Sequence, residues 1–162
     1  MNIPAGFVGG LALGGFVLTF VKNPRLDFIL GFPGIFCHEL AHYLVALLLL
    51  ANPKPMKLFP VNEGNGRWRL GSVEFTPSWW SAGPAALAPL YVLPPLVYLL
   101  FQLAPELSLA WQIAAGYFAI DLAWGAFPSL EDWGIALRYP VGALIVLGWP
   151  AMEFLLILHG KG

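Results

Sequence analysis

Phe36-Cys37-His38-Glu39-Leu40-Ala41-His42-Tyr43 sets His-Glu-x-x-His inside one of the most apolar runs of the chain. On a helix, residues four apart stand one turn above the other on the same face. His38 and His42 then aim two imidazoles at one point, which suits Zn²⁺ with nitrogen bonds of about 2.0–2.1 Å. Glu39 is offset around the helix. It can reach a water on the metal, take its proton and pass it to a leaving amine. The spacing is that of zinc hydrolases.

The competing reading is two satisfied core histidines and a surface glutamate. The surroundings weigh against it. Residues 31–51 hold no ionisable side chain outside the motif apart from Cys37 and Tyr43. Two histidines and a glutamate in a membrane helix cost several kcal/mol unless they have partners, and such groups are functional by default. Cys37 projects to a different helix face from His38 and reads as a small buried apolar residue.

Working outward, the 162 residues suffice for one domain and are 59% hydrophobic. Only 10% are charged, against about 25% in soluble domains. That excess of apolar surface predicts an all-α polytopic membrane protein whose partner is the lipid bilayer. The net charge of −1, without a basic block, excludes nucleic acid. One cysteine excludes a disulfide framework. The N-terminus, Met1-Asn2-Ile3-Pro4, lacks the basic region and cleavage site of a secretory signal, so the first apolar segment is expected to be retained.

About five transmembrane helices are expected, over residues 3–21, 28–51, 81–104, 107–127 and 130–158. The first carries Gly6, Gly9, Gly10, Gly14 and Gly15, which let helices approach closely in lipid. The second begins regularly near Pro33, since proline is tolerated in a first helical turn. The third contains Pro89, Pro94 and Pro95, and the fourth contains Asp121. The fifth follows Pro128 and is expected to kink at Pro140. Between the second and third spans, residues 57–75 alternate polar and apolar around Asn65-Gly66, which predicts a juxtamembrane β-hairpin. Its edge could pair with an extended substrate segment, or it could be a plain connector. Strict alternation would put Lys54, Lys57, Arg67, Arg69 and Arg138 on the N-terminal side, with Lys22, Arg25 and Lys161 opposite.

Two histidines leave zinc short, because catalytic sites hold three protein ligands and one open position. Glu153 and His159 lie near the chain end, and Glu131 suits the dipole of a first turn. Asp132 follows the break Phe127-Pro128-Ser129, and it also stands at the capping-box position for Ser129. Asp121, inside an apolar run, could ligate the metal or act on a ligating imidazole from behind. Both stay open on the residues alone.

Three stretches resemble the intramembrane site-2 protease family of zinc metalloproteases. His38-Glu39-Leu40-Ala41-His42 matches its His-Glu-x-x-His in a membrane helix. Ala82-Gly83-Pro84 matches the Ala-Gly-Pro that often opens the next span. Phe127-Pro128-Ser129-Leu130-Glu131-Asp132-Trp133-Gly134 is similar to its Asn-x-x-Pro-x-x-Leu-Asp-Gly region, although the asparagine and the Asp-Gly pair are missing. The resemblance covers roughly residues 31–138. It implies a minimal, PDZ-less core with Zn²⁺ on His38, His42 and Asp132, Glu39 as catalytic base, and Asp121 as alternative ligand or supporting residue. It also implies cleavage of a membrane-anchored protein or peptide substrate. The expected setting is a multi-pass integral protein in the cell membrane of a prokaryote. A second function class remains: a non-proteolytic metal-binding membrane scaffold or carrier. Glu39 discriminates, because a structural metal site needs no base and closes with a fourth ligand.

Overall fold

A computed structural model describes residues 3–21, 23–64, 67–144 and 148. The chain is mostly helical with one two-stranded antiparallel sheet. In order it forms α1 (Ala5–Phe20), α2 (Pro24–Leu30), α3 (Phe32–Leu48), β1 (Val61–Gly64), β2 (Arg67–Arg69) and α4 (Ala82–Ala86). Then come α5 (Ala88–Leu103) with a 3₁₀ turn at Ala104–Glu106, α6 (Leu109–Gly125) and α7 (Leu130–Arg138).

Helix α6 is the axis. Its first half receives α1 through glycines with no room for a side chain. A Cβ on Gly10 would strike the Ile113 carbonyl, one on Gly116 the Phe7 carbonyl, and one on Gly14 the Ile120 side chain. Backbones approach this closely because the contact positions have no side chain. The second half receives α3. Tyr117 Oη donates to the Leu30 carbonyl (3.1 Å), Gly34 N–H donates to Asp121 Oδ2 (2.7 Å), and His38 Nδ1 meets the Gly125 carbonyl (2.5 Å). These three pairs share a separation of 87 residues, so α3 and α6 run parallel in register. Gly6 opposite Gln112 and Gly14 opposite Tyr117 make α1 parallel to α6 as well. Helices α1 and α3 therefore point the same way, and the seven-residue α2 is a short return between them. Helix α5 runs back along α6. Its start, Ala88 and Leu93, packs with Leu122, Ala126 and Ala41, and its end reaches Phe7 and Ala115.

This differs from strict alternation of five spans. Consecutive spans would be opposed, whereas Ile3 and Ser108 lie at one end of the bundle and the hairpin lies at the other. Hydropathy counts apolar length and carries no direction, and the break at Gly31 sits inside an apolar run. Of the described helices, only Ala88–Glu106 is by itself long and apolar enough to cross a membrane. Leu109–Gly125 with Leu130–Arg138 meets the same test only as a pair bent by 46°. Ala5–Phe20 and Phe32–Leu48 are apolar but shorter. The last expected span breaks at Tyr139 and resumes over 140–144. The rest of it, with Glu153 and His159, lies outside the described residues.

Helix α3 ends in a Schellman turn. Leu50 N–H bonds Leu47 O, Ala51 N–H bonds Ala46 O, and Leu50 takes a left-handed φ of 55°. The turn sends the chain toward the hairpin, where Val61 pairs with Arg69 and Lys57 bridges Ser72. The Asn65-Gly66 turn lies outside the described residues. Lys54 N–H donates to the Glu74 carbonyl (2.7 Å), and the Lys54 and Lys57 ammonium groups both reach the Glu74 carboxylate, closing the hairpin base. Beyond it, α4 packs on the α7 region through Gly83, whose Cβ would lie 2.7 Å from the Tyr139 carbonyl.

Candidate metal centre

His38 and His42 stand one turn apart on α3, with Nε2 atoms 3.1 Å apart. Each ring is held from behind by a backbone carbonyl: Gly125 O for His38 (2.5 Å) and Ala85 O for His42 (2.7 Å). A carbonyl only accepts, so each Nδ1 carries the proton and each Nε2 of a neutral ring is a bare lone pair. Both carbonyls are available for local reasons. The residue four beyond Ala85 is Pro89, which has no N–H to give. Gly125 ends α6, and the Ser129 N–H four residues on turns to Asp132 Oδ2 instead (2.7 Å).

Asp132 enters from the first turn of α7. Ser129 and Asp132 form a reciprocal capping box, with Ser129 N–H and Oγ both on Oδ2. The other oxygen, Oδ1, lies 3.4 Å from His42 Nε2, while Oδ2 is 3.7 Å from His38 Nε2. Capping and approach to the histidines are thus compatible, one oxygen serving each. A tetrahedral ion with bonds of 2.0–2.1 Å needs its ligand atoms about 3.3 Å apart. The two Nε2 atoms (3.1 Å) and His42 Nε2 with Asp132 Oδ1 (3.4 Å) lie near that value, and one ligand atom from each of the three residues falls within 4.8 Å of the others. Two lone pairs facing at 3.1 Å repel unless a cation lies between them, so the donor set fits a divalent metal. The ligand type, two imidazoles and one carboxylate, suits zinc among others. His38, His42 and Asp132 are the group of three among the described residues whose ligand atoms converge in this way. Three protein ligands would leave a tetrahedral ion one position for water or substrate.

Asp121 stands apart. Buried to 4% exposure, it takes the Gly34 N–H, one of the orphan donors in the first turn of α3. Among the described residues it makes no hydrogen bond or ion pair to either imidazole; it anchors the start of the helix that carries them. Glu39 is 7% exposed and lines the same cleft as His38, His42 and Asp132. That cleft has a volume of about 1840 Å³. It follows α3 from Gly31 to His42, with Val17, Leu18 and Val21 of α1 along one part and the hairpin strand and its extension to Phe75 along another. Arg69 reaches across to Glu131 (3.4 Å), linking the hairpin to α7 beside Asp132.

Sequence reasoning did not reach the two orienting carbonyls, which belong to the backbone; Pro89 was the one readable sign of a freed acceptor. It also did not reach Gly71, which lies against Glu39. Comparison with protein-family models, with curated proteins and with solved structures finds no match.

Proposed function

We propose that the chain is a zinc-dependent endopeptidase of the lipid bilayer, hydrolysing peptide bonds of membrane-anchored substrates. The observation that carries this reading is the pair of Nε2 lone pairs 3.1 Å apart facing a carboxylate, with Glu39 opening into the same cleft. Bound zinc would polarise a scissile carbonyl and lower the pKa of a water to about 7. The chain's own groups do the remaining work. The Gly125 and Ala85 carbonyls fix both imidazole tautomers and ring directions. Asp132 supplies one negative charge, and its cap on α7 keeps it aimed inward. Glu39 takes a proton on its carboxylate and returns it to the departing nitrogen. Strand β2 pairs with β1 on one side only among the described residues, and its other edge offers main-chain bonds to an extended segment.

The bilayer setting is supported by an inverted distribution of side-chain size. Thirteen of the seventeen buried apolar residues among the described residues are alanines. Large side chains such as Phe16, Phe20, Leu99, Trp111 and Trp124 are exposed. Lipid, unlike water, has no reason to drive those outer residues inward. The resemblance of three stretches to site-2 proteases points the same way. A carrier or scaffold is the lesser reading, because Glu39 has no task in it and no fourth ligand joins the trio among the described residues.

Elemental analysis of the purified protein should find about one zinc per chain, lost in His38→Ala. Glu39→Gln should keep the zinc and lose peptidase activity by more than about 10²-fold. A protein that takes up no zinc even on reconstitution, or a Glu39→Gln variant that cleaves at the wild-type rate, would sink the proposal.

A further inference from the structure

The hairpin strand continues beyond Arg69 into Leu70-Gly71-Ser72, and this short run lies directly on Glu39. A Cβ built on Gly71 would stand 2.7 Å from Glu39 Oε1, 2.8 Å from Cγ and 3.0 Å from Cδ. A methyl group there requires a shift, and the group that gives is the flexible Glu39 side chain. Gly71 does not need to be glycine for its backbone. Its φ is not left-handed; the one described glycine with positive φ is Gly64. Any residue could adopt the conformation, and only space restricts the position.

Glu39 makes no hydrogen bond to another described residue. Its oxygens are not sealed from water, since no fully buried side-chain polar atom lacks a partner among the described residues. A carboxylate without protein hydrogen bonds is aimed by the charges around it, Arg69 of the same strand among them, and by what it packs against. Gly71 is the part of that surface where there is no room for a side chain. The neighbouring hairpin carries ion pairs at both margins. Lys54 and Lys57 hold Glu74 at its base, and Arg69 holds Glu131 on α7. Next to Gly71 the wall behind Glu39 is held by main-chain bonds, Lys57 N–H to Ser72 O (3.0 Å) and Ser72 N–H to Lys57 O (2.9 Å).

We infer that Gly71 is a positioning residue: its missing side chain lets the strand close on Glu39 and hold that carboxylate turned toward the His38–His42–Asp132 centre. This rests on the peptidase reading for its catalytic consequence, but the contact itself can be tested without activity. A methyl group at Gly71 should push the carboxylate aside while leaving the three ligands untouched.

The experiment is a double-mutant cycle of Gly71→Ala with Glu39→Ala, on the full-length protein in detergent with zinc. Thermal unfolding and zinc affinity are read for all four proteins, and cleavage for wild type and Gly71→Ala. Gly71→Ala should lower the melting temperature in the wild-type background and should cost nothing in Glu39→Ala, where the displaced atoms are gone. Zinc affinity should stay within about threefold, and kcat should fall more than about 10²-fold with KM changed little. Equal penalties for Gly71→Ala in both backgrounds would overturn the contact. Loss through KM alone, or through zinc affinity, would overturn the positioning role. A wild-type protein that binds zinc and cleaves nothing would overturn the peptidase reading, while the thermal cycle still decides the contact.

Discussion

Asp132 carries two roles that look exclusive on paper. The capping box takes Oδ2, and Oδ1 remains for the histidines. Substitution by asparagine separates them, since an amide still accepts the Ser129 N–H but is a poor, uncharged ligand. Asp132→Asn should weaken zinc binding by more than about 100-fold, beyond the range of supporting residues, with little change in helix content. Asp121→Asn keeps an acceptor for Gly34 N–H and should hold zinc affinity within about tenfold. Competition with a fluorescent chelator measures both, and equal losses in the two variants would reject this division of labour. The pair also shows what single residues disclose. His38 and His42 were readable because their spacing is local to one helix. The choice between Asp121 and Asp132 was not, because it depends on the register of α6 against α3 and on where α7 turns in.

Elements explain why the site stands where it does. The parallel contact of α1 and α6 relies on backbone approach, and its glycines sort into two faces. Gly10 meets the Ile113 carbonyl, whereas Gly9 has nothing within 4 Å of its would-be Cβ. Gly10→Ala should therefore destabilise by about 1–3 kcal/mol, the usual range for overpacking. Gly9→Ala should be neutral or stabilising by up to about 1 kcal/mol, from helix propensity. Thermal unfolding in micelles compares them, and equal effects would contradict the packing. The glycine-rich run was legible as a close-packing face; which glycines face α6 was not. The hairpin makes a different prediction. Lys54 and Lys57, bonding to Glu74, hold its pKa down to about 2, from an ordinary 4.5. A depressed carboxylate contributes stability that is complete above about pH 4.5 and lost as pH falls through about 2. Protection of the Lys54 amide, which donates to Glu74 O, should fall across that window, and more readily in high salt because the pair is exposed. Hydrogen exchange checks it, and Glu74→Gln should abolish the acid-dependent step.

At the scale of the whole molecule, the fold departs most from the sequence reading in its direction of travel. The apolar segments themselves were legible, because each is a long run with few charges, and helices occupy part of all five among the described residues. Direction was not, because an apolar run reads the same whether the chain crosses once or doubles back at Gly31. If the first two segments alternated, Ile3 and Lys57 would face one side of the bilayer and Ser108 the other. With α1 and α3 both parallel to α6, Ile3 and Ser108 share a side and Lys57 lies across from them. Single cysteines at these three exposed positions, in a Cys37→Ser background, distinguish the two arrangements. In sealed proteoliposomes of one orientation, a membrane-impermeant maleimide should modify Ile3→Cys and Ser108→Cys together, and Lys57→Cys only from the opposite side. Modification of Ile3→Cys with Lys57→Cys would restore the alternating topology. Modification of all three from both sides would remove the chain from the bilayer, and with it the membrane-anchored substrate. The outcome also locates the chemistry: His38 sits beside Gly125, at the hairpin end of α6, so the side that labels Lys57→Cys is the side from which water reaches the centre.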